Sequence, residues 1–130
     1  MKKLIAALIG LASMVTAAVG AEEYGDIELK DLKEAIAEKK VVLIDVNGKK
    51  SYDSGHIPTA IEYTAVKGKL GEVLPEEKDT LIVAYCGSPK CSAYKMAAKE
   101  AVALGYTNVK HFSDGISGWL KAGEPTEKAE

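Results

Sequence analysis

At 130 residues the chain has the length of one domain, and 47% apolar against 28% charged residues is the balance of a folded globular protein. All 17 basic residues are lysines, which excludes chemistry that needs a planar guanidinium fork on phosphate or carboxylate. A net charge of −2 and a pI near 5.8 exclude the basic footprint of a nucleic-acid binder.

Lys2 and Lys3 precede an uncharged stretch from Leu4 to Val19, and Val19-Gly20-Ala21 ends in small residues before Glu22-Glu23. This is the three-part pattern of a secretory signal peptide, cleaved near Ala21. The apolar run of about 16 residues falls short of the roughly 20 that span a bilayer, so cleavage is expected rather than anchoring, with no stable membrane insertion afterwards. The expected organisation is a signal peptide over 1–21 and one domain over 22–130, acting in a periplasm or outside the cell. Removal of Lys2 and Lys3 would take the net charge from −2 to −4.

Asp31 to Lys39 reads as a short helix, because Leu32, Ala35 and Ile36 fall on one face. Val41-Val42-Leu43-Ile44 is a continuous β-branched run, expected as a strand buried on both faces of a parallel sheet. Asp45-Val46-Asn47-Gly48 ends it in turn chemistry, and Gly55-His56-Ile57-Pro58 breaks regular structure again. Ile61-Glu62-Tyr63 could form a short strand, and Gly68 and Gly71 leave Val66 to Leu74 a weak helix at best.

Thr80 to Tyr85 is the second apolar strand and runs directly into Cys86-Gly87-Ser88-Pro89-Lys90-Cys91. Ser92 to Leu104 is the best helix in the chain, with Ser92 as the expected N-cap and Gly105 as the stop. Val109 to Phe112 offers a last strand and Ile116 to Lys121 a closing helix. Strands alternating with helices predict an α/β fold with a mainly parallel central sheet flanked by helices.

Ligands of open α/β sheets bind beyond the carboxyl ends of the strands, and Cys86 stands at that place. Loop N–H groups there can converge on an anion, and the following helix points its positive end the same way. A cysteine so placed is expected to have a lowered pKa and to suit nucleophilic attack on, and carriage of, a small anionic group. Gly87 permits the turn, and Lys90 adds the loop's only side-chain cation. The plainer alternative is a small buried hydrophobe at a strand end.

Four segments resemble a rhodanese domain of the single-domain, exported kind. Leu43-Ile44-Asp45-Val46 with Tyr52 and Gly55-His56-Ile57-Pro58-Thr59-Ala60 is similar to the family's first motif, and Ile82 to Cys86 with the loop to Cys91 resembles its active-site strand and loop. Ala97-Ala98 through Leu104 to Val109 resembles the helix and strand that follow, and Gly115, Trp119, Gly123 and Pro125 match the C-terminal signature. The resemblance implies a rhodanese-like fold and a sulfurtransferase. Cys86 would take sulfane sulfur from thiosulfate or a polysulfide as a persulfide and pass it to a thiophilic acceptor, cyanide or a thiol. It also implies that the N–H groups of Gly87, Ser88, Lys90, Cys91 and Ser92 bind the anion, since Pro89 has none to give. Asn47 and Gly87 stand where the family often has basic residues, which leaves Lys90 as the charge for a sulfonate.

Two other functions come from different classes. A non-enzymatic periplasmic carrier of sulfur or polysulfide would use the same cysteine. A cysteine phosphatase or arsenate reductase would need an arginine where Ser92 stands, and ranks lower. The expected partners are small sulfur-containing anions, with a thiol acceptor or a partner protein of sulfur metabolism, and no nucleic acid.

Cys91 reads equally as a resolving or regulatory thiol and as a small residue that lets the loop close. A reversible Cys86–Cys91 disulfide is expected in oxidised protein, because disulfides persist outside the cytoplasm. His56 is expected in a structural hydrogen bond, Asp45 as an acceptor fixing the strand end, and Trp119 as a core plug. A four-ligand metal site would require both histidines and both cysteines, or carboxylates, so neither metal nor cofactor is expected.

Overall fold

A computed structural model describes residues 24–129. The signal-peptide expectation falls on residues outside that range. Among the described residues, five strands, β1 (Gly25–Asp26), β2 (Val42–Asp45), β3 (Ile61–Glu62), β4 (Ile82–Tyr85) and β5 (Val109–His111), form one sheet in the order β1-β5-β4-β2-β3. Every pairing is parallel. The helices are α1 (Leu29–Ala37), α2 (Lys49–Ser54), α3 (Tyr63–Val66), α4 (Tyr94–Ala103) and α5 (Gly115–Lys121), with a 3₁₀ turn at Leu70–Glu72.

Side chains alternate across a strand, and β4 uses both faces. Ile82, Ala84 and then Cys86 join the core beneath α4, with Ala97, Ala98 and Ala101. Val83 and Tyr85 join the opposite core with Leu32 of α1 and Trp119 of α5. Burying a side chain such as Ile82 or Val83 contributes about 1.5–3 kcal/mol, so the two apolar runs hold the centre of the sheet. The chain leaves β2 towards the α2 face and leaves β4 towards the α4 face. The gap between these neighbouring strands is therefore a topological switch point, where α/β sheets place their sites.

Two sequence expectations change here. Val66 to Leu74 is not a helix. Glu100 of α4 accepts the N–H groups of Gly68 (3.1 Å) and Leu70 (3.0 Å) and the Tyr63 hydroxyl (2.7 Å), which holds this stretch as a turn. Desolvation, the largest single influence, pushes the Glu100 carboxylate up, but these three donors and the nearby Lys67 together outweigh it and hold the pKa below the ordinary 4.5. Helix α2 has no apolar periodicity and buries no residue fully, and the sequence gives no sign of it.

The Asp45 carboxylate, 1% exposed, accepts the Tyr85 hydroxyl (2.6 Å) and the Asn47 N–H (2.8 Å), as its strand-end role requires. The Tyr85 hydroxyl in turn accepts the Ile57 N–H at 3.0 Å. Burial raises the Asp45 pKa above its ordinary 3.8 despite these bonds. Tyr85→Phe would leave the Ile57 N–H and one Asp45 oxygen buried without this partner. We expect a loss of about 2 kcal/mol, read as a lower urea midpoint with unchanged m-value.

Candidate active site

Cys86 follows β4 directly and is 1% exposed. Its carbonyl accepts the Ile116 N–H and the Gly87 carbonyl accepts the Ser117 N–H, both at 3.0 Å, so the start of α5 clamps the base of the loop. Gly115 makes this approach possible. Its φ is +64°, and a Cβ there would sit 2.7 Å from the Cys86 carbonyl oxygen. On the other side, Asn47 from the loop after β2 lies beside Gly87.

The Cys86 and Cys91 sulfurs are joined in a disulfide, with Cα atoms 6.1 Å apart. Both sulfurs also accept N–H groups from the start of α4: Tyr94 donates to Cys86 Sγ at 3.1 Å and Ala93 to Cys91 Sγ at 3.4 Å. This corrects the expected N-cap. The helix begins at Tyr94, Ala93 occupies the cap position without a side-chain bond, and Ser92 offers only its carbonyl, to the Lys95 N–H. First-turn N–H groups need acceptors, and the sulfurs supply them where a serine hydroxyl was expected. Gly105, at φ +100°, does terminate the helix as its sequence position predicts.

The remaining loop residues lie around this bridge. The Cys91 N–H donates to the Ser88 carbonyl at 3.1 Å, closing a turn within the loop. Among the described residues, the N–H groups of Gly87, Ser88, Lys90 and Ser92 make no hydrogen bond to the protein. Lys90 and Ser92 are exposed. Pro89 borders a cavity of about 440 Å³ shared with Ser117 and Lys121 of α5, and Asn47 borders another of about 380 Å³.

The sequence of this chain from residue 28 to residue 122 matches the Rhodanese-like domain family. The chain belongs to that family. A curated relative, the HTH-type transcriptional regulator Rv0324 of Mycobacterium tuberculosis, is 36% identical over 90 residues covering 68% of this chain. The chain spans only 38% of that protein's length. The BH2092 protein of Bacillus halodurans superposes with a TM-score of 0.68 at 27% identity, over 81% of this chain and 77% of that one. Two further structures share the fold. A thiosulfate sulfurtransferase of Pseudomonas aeruginosa gives 0.66 at 22% identity, over 98% of this chain and 25% of its own. A human single-domain sulfurtransferase gives 0.57 at 21% identity, over 74% and 95%.

Within this rhodanese-like frame three residues join the site that sequence reasoning passed over. Tyr94 stacks flat on His111, ring centroids 3.4 Å apart, and meets Tyr24 edge-on at 6.1 Å. The stack fixes the residue whose N–H touches Cys86. His56, in contrast, lies in a structural bond: its Nδ1 is 2.8 Å from the Tyr52 carbonyl and its ring stacks on Tyr52. Trp119 is buried, edge-on to Phe112, as a core plug should be.

Burial pushes the His111 pKa below its ordinary 6.5; Asp26 opposes this and Lys95 reinforces it. The unfolded chain therefore takes the proton first as the pH falls. The stability that neutral His111 contributes is whole above pH 6.5 and drains away below it. His111→Phe should flatten the decline in stability as the pH falls below about 6.5, measured by chemical denaturation at each pH.

Proposed function

We propose that this chain is an exported sulfurtransferase in which Cys86, once reduced, carries sulfane sulfur as a persulfide. The observation that carries the reading is the buried Cys86 sulfur at the end of β4, receiving the Tyr94 N–H at the positive end of α4. Such surroundings favour a thiolate. The thiolate attacks the outer sulfur of thiosulfate, a new S–S bond forms on Cys86, and sulfite leaves with the electrons of the broken bond. A polysulfide donor would leave as the shorter chain. Cyanide or a thiol then takes the outer sulfur and returns the Cys86 thiolate.

The N–H groups of Gly87, Ser88, Lys90 and Ser92, unpaired within the described protein, are the groups to receive the anion. The Cys91 N–H would have to leave the Ser88 carbonyl to join them. Export is supported by Lys2-Lys3 and the apolar run behind them, and by a disulfide of the kind that persists in oxidising compartments. The partners would be small sulfur anions and a thiol acceptor or a sulfur-metabolism protein. No cofactor is required by this chemistry.

The test is mass spectrometry of reduced protein after thiosulfate or polysulfide, alongside turnover with thiosulfate and cyanide. Gain of one sulfur atom with turnover supports the enzyme, gain without turnover favours the carrier, and a chain that neither gains sulfur nor releases it as sulfide sinks the reading. Lys90, the exposed loop cation, should matter modestly. Lys90→Ala should raise KM for thiosulfate about two- to fivefold at low ionic strength and leave KM for an uncharged sulfur donor alone, as steady-state kinetics would record.

A further inference from the structure

We propose that Cys91 is the resolving thiol of this site, so that the protein releases the carried sulfur as hydrosulfide and is then reset by an external dithiol. The proposal rests on the reading of Cys86 as the sulfur carrier and names the acceptor as a residue of the same loop. Cα atoms 6.1 Å apart lie within the span of about 4.4–6.8 Å usual for a disulfide, so the bond needs no rearrangement of the loop. Cys91 is thus held against the inner sulfur of Cys86, the atom to which it is bonded in the structure.

In the persulfide state the Cys91 thiol attacks that inner sulfur. The Cys86–Cys91 bond forms, the bond to the outer sulfur breaks, and the Cys91 proton leaves with the outer sulfur as HS⁻. Hydrosulfide is a weaker base than an alkyl thiolate, and the weaker base is the better leaving group in thiol–disulfide exchange. The Ala93 N–H on Cys91 Sγ favours the attacking thiolate.

Burial then decides how the disulfide is opened. Cys86 is 1% exposed, whereas Cys91 is partly exposed. An external thiolate therefore reaches Cys91, forms a mixed disulfide there, and expels Cys86 as a thiolate whose sulfur already accepts the Tyr94 N–H. The second thiol of the same dithiol displaces Cys91. Across the cycle one sulfane sulfur is reduced to HS⁻ and the dithiol is oxidised to its disulfide.

The experiment is a single turnover of pre-reduced protein with thiosulfate and no added reductant. Wild type should release about one sulfide per chain and end lighter by two hydrogens, with both cysteines closed to alkylation. Cys91→Ser should keep the added sulfur and release sulfide at least about tenfold more slowly; Cys91→Ala serves the same purpose if serine disturbs the turn. A wild type that holds the added sulfur with Cys91 still alkylatable overturns the proposal while leaving Cys86 as carrier. Equal sulfide release from wild type and both variants also overturns it. If neither wild type nor variants gain sulfur or release it as sulfide, the reading of Cys86 itself fails and this proposal falls with it.

Discussion

Cys86→Ser should abolish both sulfur loading and turnover while the domain stays folded. A serine hydroxyl fits the same buried space and can accept the Tyr94 N–H that Cys86 Sγ accepts. It is nevertheless a weak nucleophile without a general base to remove its proton. Relative to oxidised wild type the variant also lacks the disulfide, a loss of about 2 kcal/mol for so short a loop by chain-entropy arithmetic. The fair comparison is therefore with reduced wild type, by denaturant midpoint and by mass after thiosulfate. A serine variant that still gains a sulfur atom would move the nucleophile to another residue.

Gly115→Ala should be a costly substitution for one added methyl. Two penalties combine there. A φ of +64° is strained for any residue with a Cβ, at about 1–3 kcal/mol, and the new methyl would press on backbone rather than on a yielding side chain. It would lie 2.7 Å from the Cys86 carbonyl oxygen and from the Gly87 carbonyl carbon, and 2.9 Å from the Gly87 oxygen. Overpacking of that kind costs about 1–3 kcal/mol more. We expect about 4 kcal/mol in total, with sulfur loading lost in what remains folded, because the loop base must shift. Gly123→Ala is the control, since Gly123 has φ +78° but nothing within 4 Å of a new Cβ. It should cost about 1 kcal/mol in the same urea titration. Equal costs at the two positions would show that the clash with the loop relaxes freely.

What was legible in the sequence follows from what is local. The runs around Val42 and Ile82 read as buried strands, because a parallel sheet covered on both faces needs no polar alternation. The place of Cys86 at a strand end was legible for the same reason. Helix α2 was hidden because Lys49 to Ser54 carries charge and hydroxyls with only Tyr52 packing inward. The cap of α4 was misassigned because its acceptors are sulfurs, one of them eight residues before the N–H it receives. Tyr85 and Asp45 are 40 residues apart, and Tyr94 meets His111 only because β5 lies beside β4. No spacing rule reports such pairs.

The segment after α5 sets where this domain can be cut. Trp119 donates its indole N–H to the Pro125 carbonyl at 2.7 Å. His56 and Glu127 exchange two backbone hydrogen bonds of 2.9 Å, and the Ala129 N–H donates to the Asp53 carbonyl at 3.0 Å. The family match ends at residue 122, before all three attachments. A fragment trimmed to the family's limits would therefore leave an indole donor without its acceptor and uncover the backbone of Asp53 and His56. The unit of recognition by sequence is shorter than the unit that holds itself together, and any transplant of this site must carry the tail to Ala129 with it.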